Sequence, residues 1–147
     1  MATDNTDPLR LWFRFIRLNQ RLHGGVSQRL RGTGLSIPQF DVLSTLTELE
    51  GMTQQELAKR LYVTKGNVSG LIDRLVEAGL AERRAIPGDR RSHALHLTET
   101  GRALAKEAMT VHAAFVADTL GRLPEKDIAS LYEILGRWRD IARERIG

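Results

Sequence analysis

The chain has 147 residues, 41% of them hydrophobic and only 5% aromatic, with a formal net charge of +4. That length suits one domain with an aliphatic core, and the basic balance is compatible with a polyanionic partner without requiring one. The absence of cysteine excludes disulfides, a thiol nucleophile, thiolate metal ligands and a thiol redox switch.

No apolar run approaches the roughly 20 residues of a membrane span. Met1–Asp7 is polar and lacks the apolar core of a secretory signal, so a cytoplasmic protein without membrane contact is expected. Asp7-Pro8 reads as a helix cap followed by proline at the first helical position. Leu11, Phe15, Leu18, Leu22, Val26 and Leu30 then recur at steps of three and four, predicting a helix over about residues 8–31. Leu9, Trp12 and Ile16 widen its apolar face enough for two neighbours, one of them another subunit. Gly24-Gly25 weakens the second half and is the place for a bend or break.

Ser36-Ile37-Pro38-Gln39 and Thr53-Gln54-Gln55-Glu56 are two capping boxes. The first opens a helix carrying Phe40, Leu43, Leu46 and Leu49, stopped by Gly51; the second opens a short helix with Leu57, Ala58 and Leu61 inward. Tyr62-Val63 is a turn. Thr64 is expected to cap the next helix, in which Val68, Leu71, Ile72 and Leu75 face inward and Gly79 forms the stop. Leu80–Ile86 and Arg91–Leu97 read as a two-stranded hairpin around a tip of Pro87-Gly88-Asp89-Arg90. Thr98 starts a helix with Leu104, Ala108, Val111 and Phe115 inward, ending near Gly121. Pro124 begins the last helix, striped by Ile128, Leu131, Leu135 and Trp138.

Two short helices followed by a hairpin predict a mainly α fold, a winged helix-turn-helix with a two-stranded β wing between long N- and C-terminal helices. In such a unit the second short helix offers its outward N-terminal residues to the major groove. Here these are Lys65, Gly66, Asn67, Ser69, Gly70, Asp73 and Arg74. Asn67 can pair bidentately with adenine; Lys65 and Arg74 can reach guanine or phosphate. Two glycines in one helix cost about 1 kcal/mol each against alanine, more than a purely structural helix has reason to accept. Arg90 and Arg91 at the wing tip suit a narrow minor groove, with Arg83 and Arg84 on the preceding strand. Asp89 is expected to pair with a nearby arginine and stiffen the wing.

At Leu35–Leu43, Thr53–Leu80 and Asp89-Arg90-Arg91 leading to Leu95-His96-Leu97-Thr98-Glu99-Thr100-Gly101, the chain resembles the MarR family of multiple-antibiotic-resistance-type regulators. The resemblance spans about residues 8–145. It implies a single MarR-type domain over 1–147: dimerisation helices at 8–34 and 121–147, a DNA-binding lobe at 35–100 and a connecting helix at 98–121. It further implies a homodimer on a palindromic double-stranded operator, usually repressing, and released by a small aromatic or phenolic acid. The family's DNA-contacting positions fall here on Ser36, Thr53, Thr64, Lys65, Asn67, Ser69, Arg74, Asp89, Arg90 and Arg91, which Arg84 joins from the strand reading. Lacking cysteine, the chain has no place for the thiol chemistry of peroxide-sensing subfamilies.

For the small-molecule effector the candidates are Trp12, Asn19 and His23 on the first helix and Met109 and His112 on the fifth. Imidazole and amide donors on apolar walls suit a carboxylate or phenolate. His93 and His96 fall on opposite faces of a strand and cannot share one metal ion. No catalytic constellation, metal site or cofactor is expected. Two other readings use the same elements: a winged helix that docks on an acidic protein, and an architectural DNA-binding protein without effector.

Overall fold

The computed structural model describes residues 5–147. Met1–Asp4, part of the polar start, lie outside the described residues. The helices are α1 (Pro8–Leu30), α2 (Ile37–Glu48), α3 (Gln54–Arg60), α4 (Val68–Glu77), α5 (Glu99–Asp118) and α6 (Glu125–Ile146), with strands β1 (Ala81–Ile86) and β2 (Asp89–Leu97) between α4 and α5. Asp7 caps α1 through the Leu9 N–H, and α1 runs unbroken through Gly24-Gly25. The break that this pair allows does not occur.

Both capping boxes form. Ser36 accepts from the Gln39 N–H while the Gln39 side chain accepts from the Ser36 N–H, and Thr53 and Glu56 do the same at α3. The chain divides into two compact units between His112 and Ala113, inside α5. The first holds one continuous core: Leu30 from α1; Val42, Leu43 and Leu46 from α2; Leu57 from α3; Ile72 and Leu75 from α4; Leu95 and Leu97 from β2; and Ala105 and Ala108 from α5. The second comprises the end of α5, a 3-10 turn at Leu120–Arg122 and α6. The fifth helix therefore ends before Gly121, at Asp118, where the Thr119 hydroxyl donates to the Phe115 carbonyl.

The strands pair antiparallel, with Ala81 opposite Leu97 and Ala85 opposite His93. Alternation holds along β2, with Leu95 and Leu97 buried and Ala94 and His96 on the other face. The α2–α3 connection joins the sheet: Gly51 donates to the Leu95 carbonyl, Leu95 donates to the Met52 carbonyl, and Thr53 bridges Ala94. Glu50 adds an ion pair to Arg102 of α5 at 2.7 Å and lies 3.5 Å from Nδ1 of His96. At the other end of the hairpin Thr98 fastens α5 to the start of β1. Its hydroxyl donates to the Gly79 carbonyl and accepts from the Gly101 N–H, and its own N–H donates to the Leu80 carbonyl.

Candidate nucleic-acid interface

The segment entering α4 differs from its sequence expectation. Thr64 does not cap this helix. Asn67 does, its Oδ1 accepting from the Gly70 N–H at 2.9 Å. Lys65 and Gly66 therefore precede the helix. Gly66 has φ +105°, a conformation that side-chain-bearing residues rarely adopt, so it answers to a turn and not to helix packing. Gly70 is explained locally as well: a Cβ there would stand 2.5 Å from the Asn67 amide nitrogen. Within α4, Leu71, Ile72 and Leu75 point inward as expected, leaving Ser69, Asp73 and Arg74 exposed.

The turn between α3 and α4 is longer than Tyr62-Val63; residues 61–67 are all irregular. An acid that sequence reasoning left without a role holds this segment. Asp41 of α2 is buried, and its carboxylate accepts from the N–H groups of Tyr62 (3.1 Å), Val63 (2.9 Å) and Thr64 (2.9 Å). The sequence carried only a weak signal for this: Asp41 stands among the apolar residues Phe40, Val42 and Leu43, and an acid is buried only where partners meet it. Thr64 is buried too, and among the described residues its hydroxyl finds no hydrogen-bond partner.

The wing also departs from expectation. Its tip is only Pro87-Gly88, with Gly88 at φ +82°, as position three of a type II turn requires. Asp89 already pairs with Ile86, whereas Ala85 pairs with His93, so Arg90, Arg91 and Ser92 bulge out of the ladder. Asp89 does not pair with an arginine side chain. Its Oδ1 accepts from the backbone N–H groups of Arg91 (3.0 Å) and Ser92 (3.2 Å). The Arg91 N–H first, then the Ser92 hydroxyl and N–H, hold this carboxyl below the usual carboxylate range.

Of the strand arginines, Arg84 lies along β1 against Glu82 at 2.6 Å. Both groups are exposed, and such pairs contribute about 0–1 kcal/mol, so Arg84 is easily redirected. Arg83 reaches instead to Asp73 of α4 at 2.5 Å, linking the wing to the helix. Strand alternation separates Arg83 from Arg84, since only one of two successive side chains can face α4; which of them does so is set by how β1 lies against α4.

Two open clefts mark this surface. One, of about 390 Å³, gathers Ser36, Thr64, Lys65, Asn67 and Arg74. The other, of about 500 Å³, is lined by Thr53, Val68, Arg83, Arg91 and His93 among others. Ser69, Arg84, Asp89 and Arg90 line neither, nor do Trp12, Asn19, His23, Met109 and His112. On α1, Trp12, Asn19 and His23 are exposed in the single chain, whereas the His112 ring packs on Phe40 with centroids 5.0 Å apart. Among the described residues no group of three or more His, Asp or Glu is placed to hold a metal ion.

Residues 33–92 match the sequence profile of the MarR family. An HTH-type transcriptional repressor of Mycobacterium tuberculosis is 33% identical over 133 residues, covering 88% of this chain and 96% of that protein. AbsC, a MarR family transcriptional regulator from Streptomyces coelicolor, superposes with a TM-score of 0.84 at 26% identity, with 99% of each chain covered. FabT of Streptococcus pneumoniae, solved in complex with DNA, shares the fold with a TM-score of 0.79 at 24% identity, over 94% of this chain and 99% of its own. The long helices, the two capped short helices and the wing are thus those of a known class of protein, and this chain belongs to the MarR family of HTH-type transcriptional regulators.

Proposed function

We propose that the protein binds duplex DNA as a cytoplasmic homodimer, occupies a palindromic operator and represses transcription until a small aromatic or phenolic acid releases it. The observation that carries this reading is the juxtaposition of an exposed α4 face, with Asn67, Ser69 and Arg74, and a wing whose bulge presents Arg90 and Arg91. Helix and wing are tied together by the Asp73–Arg83 pair. A recognition helix in the major groove and arginines in the adjacent minor groove fit that spacing of elements. FabT's complex with DNA supports the ligand class, and the Mycobacterium relative supports the sign of regulation.

Pairing of subunits is supported by the apolar surface that α1 leaves exposed, with Leu11 at 57% and Leu18 at 52%. Contiguous apolar faces of this kind mark association surfaces. No helix among the described residues is long and apolar enough to cross a membrane. For the effector, Trp12, Asn19, His23, Met109 and His112 stand as the proposed contacts, with Phe40 against His112 as an apolar wall.

Selection from a random duplex library tests the reading. It should return a palindrome whose half-sites lie about one helical turn apart, ~34 Å. An unstructured pool identifies an architectural binder, and no retained duplex identifies a protein-docking winged helix; either overturns the proposal. Asn67 needs a variant that separates its two roles. Asn67→Ser should keep the cap and the melting temperature, because serine caps as well as asparagine. It should lose affinity for the selected duplex more than for random duplex. Equal losses on both would remove Asn67 from base readout.

A further inference from the structure

We propose that Asp41 is a positioning residue for duplex readout, its buried carboxylate setting the path of the segment that carries Thr64, Lys65 and Asn67 into α4. The inference rests on the duplex-binding reading above and places the control of its geometry away from the contact surface. Asp41 is 3% exposed, so it cannot itself touch a duplex. Three consecutive N–H groups, those of Tyr62, Val63 and Thr64, converge on its two oxygens. Successive amides turned to one anion form a nest, and hydrogen bonds to an ionised acceptor are about twice as strong as neutral ones. Among the described residues no cation forms an ion pair with Asp41, so these amides are what balances its charge.

Residues 61–67 have neither helix nor strand to fix them. The left-handed turn at Gly66 and the Asn67 cap act only after the segment has been set down at Thr64. Thr64, Lys65 and Asn67 then share one cleft with Ser36 and Arg74, so a shift at residues 62–64 moves that whole constellation. An acid at this place carries two costs, its own desolvation and repulsion of a nearby polyanion. What it supplies is the turn.

Asp41→Asn tests this. The amide keeps one acceptor oxygen, but its NH2 must face at least one of the three N–H groups whichever way it is turned. The variant should retain its helical signal while hydrogen exchange quickens at Tyr62, Val63 and Thr64. Its preference for the library-selected duplex over random duplex should fall roughly tenfold, the scale of one well-placed base contact, while random-duplex binding at low salt stays level or rises. A purely structural role would lower both affinities together through the folded fraction, so an unchanged preference overturns the inference and leaves the duplex reading intact. A wild-type protein that selects no duplex overturns the duplex reading, and this inference with it. Should Asp41→Asn fail to fold, exchange in the wild type decides: the amides of residues 62–64 should be protected like those of α4. Exchange as fast as at the Gly88 tip would overturn the assignment.

Discussion

Gly101→Ala should lower the melting temperature sharply, although alanine in a helix interior is normally favoured over glycine by about 1 kcal/mol. A Cβ at Gly101 would lie 1.8 Å from the carbonyl oxygen of Leu80, 2.7 Å from its carbonyl carbon and 3.1 Å from its Cα. All three atoms are backbone, so no side chain can rotate away. Relief requires α5 to withdraw from the start of β1 by well over an ångström. That movement breaks the Thr98 fastening to Gly79 and Leu80. It also opens the core where Leu80, Ala81, Leu97 and Ala105 are buried. Overpacking costs about 1–3 kcal/mol and a lost helix cap about 0.5–2; less the roughly 1 kcal/mol that alanine gains in a helix, a net loss of about 2 kcal/mol is expected. For a chain of this size that is roughly 4–8 °C, read by the loss of helical signal on heating. An unchanged midpoint would show that the Leu80 backbone yields and that the close approach is not required. The Leu-x-Leu-Thr-x-x-Gly pattern thus has a stereochemical reason: threonine supplies the clamp, and glycine supplies the room.

The elements that sequence reading placed correctly are those whose signals are local. The capping boxes at Ser36 and Thr53 are decided within four residues, and the inward stripe of α4 follows from helical period alone. The start of α4 was not local. Thr64 and Asn67 are both good capping residues, and what separates them is a carboxylate on another helix. By binding the Thr64 N–H, Asp41 holds Thr64 in the turn, and the cap falls to Asn67. The hairpin was read correctly, but the detail of its tip was missed for a similar reason. Its turn chemistry, Pro87-Gly88, was legible, but the bulge at residues 90–92 depends on where one aspartate oxygen points. The ion pair between Asp73 and Arg83 needed the relative placement of α4 and β1, which no periodicity encodes. The elements that make up this surface were therefore readable, while the local geometry of its residues depends on contacts of three acids, Asp41, Asp73 and Asp89, that lie beyond any local pattern.

Asp89 gives the sharpest separation of charge from geometry. On charge alone, removing an acid beside the duplex should raise affinity, because one repulsive contact with phosphate disappears. The wing geometry gives the opposite result for Asp89→Ala. Without the acceptor for the Arg91 and Ser92 N–H groups, the bulge that presents Arg90 and Arg91 loses its bracket. Affinity for the selected duplex should then fall roughly tenfold or more, approaching that of Arg91→Ala, whose salt slope should also drop by about 0.9. Asp89→Asn should behave differently. Both N–H groups bind the same oxygen, Oδ1, which asparagine retains, so the bulge survives while the charge goes. That variant should bind as tightly as the wild type or more tightly. The acid limit follows the same logic. The folded state holds this carboxyl below its ordinary value of about 3.9, so its contribution is complete above that pH and fades only as pH falls through the lowered value. Wing-dependent binding should therefore be level across the neutral range. If alanine and asparagine both strengthen binding, Asp89 acts through charge alone, and the bracket has no part in recognition.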